Sequence, residues 1–172
     1  MRYAGIIEND VVNGQGVCVS FWCQGCPHHC NGCHNAHTWD FSGGKEISVN
    51  GAITKISTAI TKNGIRRNFS ILGGEPLCDE NVQQVIEITN KIRERFPWIK
   101  VFVWTGYTYE ELLDRGIPVE IFDYIIDGRF KLAERSLTIA LRGSYNQRVI
   151  DVRRTLQEGK IVLWTEPEEV IA

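Results

Sequence analysis

Residues 26 to 33 read Cys-Pro-His-His-Cys-Asn-Gly-Cys, a C-x3-C-x2-C pattern with three thiols in eight residues. Eight residues span at most ~29 Å extended, so bringing three sulfurs onto one inorganic core demands a tightly curled loop. Gly25, Pro27 and Gly32 permit that curl. Five of the six cysteines lie between positions 18 and 33. The opening Met1-Arg2-Tyr3-Ala4-Gly5 lacks the charged-then-apolar layout of an export signal. A reducing, cytoplasmic location is therefore expected, and there clustered cysteines mean metal or redox chemistry more often than structural bridges. Pro, His and Asn between the thiols also argue against a merely buried apolar segment.

Two inorganic guests fit the spacing. Zinc takes four ligands in a closed tetrahedron, which Cys26, Cys30 and Cys33 could complete with His29, His34 or His37. A four-iron cluster normally takes four cysteines, and three leave one iron open to an exogenous ligand.

Around this loop the chain alternates strand and helix signals. From Gly16 to Gly25, Val17, Val19 and Phe21 fall on one face and Cys18, Ser20 and Trp22 on the other, the period of a buried strand. Ile53, Ile56, Ala59 and Ile60 recur at helical spacing, with Asn63-Gly64 as a stop. Phe69 to Leu72 predicts a strand running into Gly73-Gly74-Glu75-Pro76, followed by a helical pattern from Val82 to Phe96. Ile99 to Trp104 predicts the next strand, ending at Thr105-Gly106-Tyr107, and Thr108 with Glu111 forms a capping box for a short helix. Ile121 to Ile126 predicts a fourth strand ending at Asp127-Gly128-Arg129-Phe130, and Lys160 to Trp164 a fifth, while 129 to 159 gives no clear assignment. Such alternation implies an α/β fold, a mostly parallel sheet with ligands at the carboxyl ends of its strands. The cysteine loop and the three glycine turns all follow strands there, which points to one shared site.

Length and charge narrow the function. A chain of 172 residues suits one domain, 1–172. With 19 basic and 21 acidic residues, the net charge of −2 does not favour nucleic acid as a partner. No apolar run approaches the ~18–20 residues of a membrane span.

The C-x3-C-x2-C loop and the Gly-Gly-Glu-Pro turn, about 40 residues apart, resemble the marks of the radical S-adenosylmethionine enzymes. The resemblance is nearest to the branch that activates anaerobic ribonucleoside-triphosphate reductases. It runs through Gly25-Cys26 to Asn35, Thr38-Trp39, Gly73 to Leu77, Thr105-Gly106-Tyr107, Asp127 to Phe130 and Arg142-Gly143-Ser144-Tyr145-Asn146-Gln147-Arg148-Val149-Ile150-Asp151. It implies an incomplete, open (β/α) barrel, since a closed one needs ~250 residues. It also implies a 4Fe-4S cluster on Cys26, Cys30 and Cys33, with S-adenosylmethionine on the fourth iron. Gly73, Gly74, Glu75 and Pro76 would lie along the amino end of its methionine, Glu75 accepting from the ammonium. Gly32, Cys33 and His34 would approach the adenine. Gly32 stands where many superfamily members carry an aromatic residue, so no stacking is expected there.

The resemblance further implies that one electron cleaves the sulfonium to a 5′-deoxyadenosyl radical, which removes a hydrogen atom from a glycine of the large reductase subunit. A flavodoxin-type donor would supply the electron. The organic step belongs to the cofactor, in keeping with the lack of a nucleophile or general-base constellation in the sequence. Alternatives are another small radical S-adenosylmethionine enzyme, either a different glycyl-radical activase or a deazaguanine synthase, or a zinc-stabilised binding module. Cys18 and Cys78 are expected in the core, with Cys23 undecided. His28 and His29 are expected in solvent on the turn. Trp39, Trp98, Trp104 and Trp164 are expected to pack, and Arg66-Arg67 and Arg153-Arg154 to be solvated.

Overall fold

The period-two runs become strands and the 3.6-residue patterns helices in a computed structural model that describes residues 1–165. Residues 166–172 of the expected domain lie outside the described residues. In chain order the elements are β1 (Arg2–Asp10), β2 (Cys18–Cys23), β3 (Lys45–Glu46), α1 (Val49–Thr61), β4 (Asn68–Gly73), α2 (Val82–Arg95), β5 (Val101–Trp104), α3 (Tyr109–Asp114), β6 (Tyr124–Asp127), β7 (Arg148–Asp151) and α4 (Val152–Glu158). One mixed sheet has the order β3-β1-β2-β4-β5-β6-β7 and does not close. Its centre, β2-β4-β5-β6, is parallel, while β1, β3 and β7 join antiparallel.

The helices cover one face. Val19, Phe21, Phe69, Ile71, Val101, Val103 and Ile125 from the strands pack with Ile56 and Ile60 of α1, Val85, Ile88 and Ile92 of α2, and Leu112 of α3. Each fully buried side chain of this size contributes about 1.5–3 kcal/mol. Local signals set the ends. Ser48 caps α1 by accepting from the Gly51 amide at 3.1 Å, and Asn63, with φ +59°, turns the chain out of it. The capping box is formed, Thr108 accepting from the Glu111 amide and Glu111 from that of Thr108.

Residues of opposite parity, among them Trp22, Leu72 and Trp104, line a cleft on the other face. The loop after β1 closes the lower part of that face. Gly14 approaches so near that a Cβ there would stand 2.5 Å from Cys18 Sγ, while the Asn68 side chain donates to Gln15 O at 2.9 Å.

Three expectations are corrected. Lys160 to Trp164 is no strand; Leu163 makes one isolated bridge to Ile150. The edge strand after β6 is β7, built from the end of the 142–151 segment and hidden from pattern reading by its charged ends. Arg67 is not solvated: it is 2% exposed. Its guanidinium donates to Asn9 Oδ1 at 2.9 and 2.7 Å and to the carbonyls of Lys62 and Ile65 in the turn that follows α1. Arg66 is exposed, over the face of Trp98. Among the described residues no helix is long and apolar enough to cross a membrane.

Candidate cluster and cofactor site

The carboxyl ends of β2, β4, β5 and β6 open onto one cleft of about 450 Å³. Of the residues singled out from sequence, Cys26, Cys30, Cys33, His34, Gly73, Gly74 and Glu75 border it. Gly32 and Pro76 do not. Pro76 is buried beside the turn. Gly32, at φ +72°, leans on Leu132, whose Cδ1 would lie 2.8 Å from any Cβ.

The two principal motifs are joined through backbone. Gly74 N–H donates to Cys23 O at 2.9 Å and Glu75 N–H to Gly25 O at 2.7 Å. A Cβ on Gly74 would fall 2.2 Å from Gly25 O, and one on Gly73 2.6 Å from Cys23 O. These glycines are therefore demanded by the cysteine loop itself, which packs directly on the turn.

Each thiol of the loop meets backbone N–H groups. Burial pushes the Cys26 thiol up to about 11, against the pull of the His28 and His29 amides. Burial also raises Cys30, opposed by the Phe130 amide and by the Arg129 charge. Asn35 N–H donates to Cys33 Sγ at 3.4 Å. As free thiols Cys26 and Cys30 resist ionisation, so a bound cation is what would hold them as thiolates. Among the described residues no three Cys, His, Asp or Glu side chains converge on one point as ligands of a single ion would. All three thiols line the cleft, and Cys30 lies near enough to Cys26 and Cys33 for their charges to interact. Three separate thiols, amide donors to sulfur and an adjoining space fit a cluster whose irons take one thiolate each.

His28 is not in solvent. Its side chain is 4% exposed, with Nε2 3.0 Å from Glu75 Oε2 and its ring edge-on to Tyr107 at 4.6 Å. Gly106 makes the room, since a Cβ there would lie 2.3 Å from the imidazole. No local pattern announces this contact, because its partners are far along the chain. His29 is exposed as expected, at φ 47° and stacked on Trp39 at 4.8 Å. Cys18 and Cys78 are core thiols, and Cys23 joins them at 0% exposure, its thiol raised by burial. Trp104 packs beside the cleft and donates through Nε1 to Leu141 O at 2.8 Å.

The 142–148 segment braces the turn behind Cys30. Gln147 Nε2 donates to Gly128 O at 2.9 Å and Asn146 Nδ2 to Arg129 O at 2.8 Å, while Gln147 Oε1 accepts from the Gly143 amide. That bracing fixes the Phe130 amide where it faces the Cys30 sulfur.

Comparison with known proteins agrees with this architecture. Residues 12–150 match the family model of a 4Fe-4S single cluster domain. An anaerobic ribonucleoside-triphosphate reductase-activating protein of Enterobacteria phage T4 is 32% identical over 151 residues, 87% of this chain and 93% of that protein. The namesake from Escherichia coli is 31% identical over 154 residues, 89% and 100% of the two chains. That from Vibrio cholerae is 31% identical over 148 residues, 86% and 96%. The chain belongs to the anaerobic ribonucleoside-triphosphate reductase-activating protein family. Membership in the activating-protein family does not favour the zinc module, and the matched model is that of a 4Fe-4S single cluster domain whose span includes the cysteine loop. Within it, the 142–148 brace and the Gly-Gly turn are two supports of one loop.

Proposed function

We propose that this protein activates an anaerobic ribonucleoside-triphosphate reductase by generating a glycyl radical on its large subunit. Cys26, Cys30 and Cys33 would hold three irons of a 4Fe-4S cluster, and the cleft beside them would take S-adenosylmethionine. The Gly73-Gly74-Glu75 turn would run along the amino end of its methionine and Cys33 and His34 would lie toward the adenine, with Gly32 and Pro76 shaping those segments from outside the cleft. When bound, the cluster and S-adenosylmethionine would supply one-electron reductive cleavage of the sulfonium S–C5′ bond, with methionine as the leaving group, and so the means to abstract a hydrogen atom from a glycine Cα. The protein's own residues orient and shield. Trp22, Leu72 and Trp104 contribute apolar surface to the cleft wall. Amides of the cysteine loop and of Phe130 tune the sulfurs.

The unclosed sheet, read as an incomplete barrel of the radical S-adenosylmethionine type over 1–172, leaves the cleft open to a polypeptide loop. A cytoplasmic location and a flavodoxin-type electron donor accompany this reading. The observation that carries it is that Cys26, Cys30 and Cys33 open onto the same cleft as the Gly-Gly-Glu-Pro turn. Protein reconstituted anaerobically with iron and sulfide should cleave S-adenosylmethionine on reduction. Cys30→Ala should lose about 100-fold or more of that rate, on the scale of an abolished metal ligand; cleavage at the unsubstituted rate would sink the mechanism.

A further inference from the structure

Glu75 is 1% exposed, and two donors meet each of its oxygens. Leu77 N–H at 2.9 Å and the Thr105 hydroxyl at 2.8 Å reach Oε1. Gly106 N–H at 2.6 Å and His28 Nε2 at 3.0 Å reach Oε2. A carboxylate offers about four acceptor positions, so this one has none to spare for a ligand ammonium. Because it only accepts, Nε2 is the protonated nitrogen of His28. The four donors belong to the loops after β2, β4 and β5, three neighbouring strands whose ends bound the cleft.

His28 is clamped further. Its ring lies edge-on to Tyr107, and the Arg115 guanidinium lies 4.1 Å from the centre of that tyrosine ring. Arg115 in turn donates to Leu77 O at 2.7 Å, closing the circuit on the turn that carries Glu75. The amides of His28 and His29 face Cys26 Sγ. Whatever fixes the imidazole fixes those amides, and N–H donors at a cluster sulfur raise its reduction potential.

Resting on the cofactor reading above, we propose that Glu75 is a positioning residue. Its carboxylate holds His28, and with it the cysteine loop, against the turns after β4 and β5, and it does not receive the ammonium of S-adenosylmethionine. The acid of the turn thus acts on the cluster's potential and leaves the amino group to other groups of the cleft.

The test uses the full chain reconstituted anaerobically, as Glu75→Gln, Thr105→Val, His28→Gln and the double variant Glu75→Gln/Thr105→Val. Iron and sulfide content, the cluster's midpoint potential and the equilibrium affinity for S-adenosylmethionine are measured on each. Gln at 75 places an NH₂ or leaves an unmatched donor at Gly106 and His28, and Val at 105 removes one donor while leaving the charge. Midpoint potentials should move negative in His28→Gln and Thr105→Val, which leave the carboxylate's charge in place, and Thr105→Val should add no further shift once Gln stands at 75. Affinity among loaded molecules should change by less than about threefold. An affinity loss of about tenfold or more in Glu75→Gln, with an unmoved potential and a silent Thr105→Val, would overturn the proposal, since that is the cost of a lost bond to a charged donor. If Glu75→Gln fails to load, Thr105→Val decides, an unshifted potential counting against the tie. Failure of the cofactor reading is distinguishable, because the unsubstituted protein would then bind no cluster or give no response to S-adenosylmethionine.

Discussion

Two acids sit in glycine turns at carboxyl ends of the parallel strands, and both are 1% exposed: Glu75 after β4 and Asp127 at the end of β6. They do opposite things. Glu75 gathers donors from the loops that border the cleft. Asp127 points away from it, accepting from the Tyr109 amide in the first turn of α3 at 2.8 Å and from Arg148 of β7, whose Nε lies 3.0 Å away. Arg148 also holds Glu110, and Asp127 first, with Glu110 second, pushes its guanidinium further above its ordinary range. Only Gly128 and Phe130 of that second turn reach the cleft. An acid at a strand end thus says little by itself about a site. Its side of the sheet and its donors decide whether it serves the pocket or the scaffold.

Removing Asp127 should have the largest effect on folding. Asp127→Ala leaves a guanidinium and a buried amide short of a partner, worth 3–5 kcal/mol for a fully buried pair; with Arg148 31% exposed, about 2–3 kcal/mol is expected. Urea denaturation of the metal-free protein measures it, while the midpoint potential of reconstituted Asp127→Ala should match that of the unsubstituted protein. A shifted potential there would erase the contrast with Glu75.

Gly74→Ala comes next and bears on the Glu75 side. Its methyl would meet Gly25 O at 2.2 Å, a backbone atom that cannot rotate away. A loss of about 2 kcal/mol is expected from overpacking of this kind, together with poorer iron retention, because Gly25 opens the cysteine loop. Equal iron retention would show that the loop does not depend on that approach. Gln147→Ala addresses the Asp127 side more gently. It frees the Gly128 carbonyl and the Gly143 amide, costing about 1–2 kcal/mol, and loosens the Phe130 amide opposite Cys30. Metal-free unfolding and iron content are again the readouts.

How much of this was legible beforehand follows from range along the chain. The parallel strands, the first three helices and the capping box rest on signals within a dozen residues, so periodicity and Thr108 with Glu111 suffice. The cysteine loop and the Gly-Gly-Glu-Pro turn are legible for the same reason. Arg67 misleads because a charged pair resembles a solvated face until Asn9 and the end of α1 are placed around it. His28 misleads likewise, its burial depending on a carboxylate 47 residues away and on the absence of a side chain at Gly106. β7 is unreadable locally, since Arg148 and Asp151 bracket only two apolar residues and its pairing with β6 is what makes it a strand.

A third buried acid tests whether the distinction extends to the other end of the sheet. Asp10, 6% exposed, lies under the cleft floor and accepts from Ser20, from Asn13 and from the amides of Val12 and Asn13. Burial pushes its carboxyl up, but these hydrogen bonds together prevail and hold it below its ordinary value of 3.8. A depressed folded-state value adds stability that is complete above the unfolded value and vanishes as the pH falls through the folded one. Asp10→Asn, which keeps the shape but cannot satisfy every donor, should cost about 1 kcal/mol at neutral pH. The gap from the unsubstituted protein should narrow as the pH falls below the ordinary carboxyl value of 3.8 and Asp10 takes up its proton. Parallel stability curves across that window would mean that the loop after β1 gains nothing from the charge. Asp10 would then be a spacer, unlike either Glu75 or Asp127.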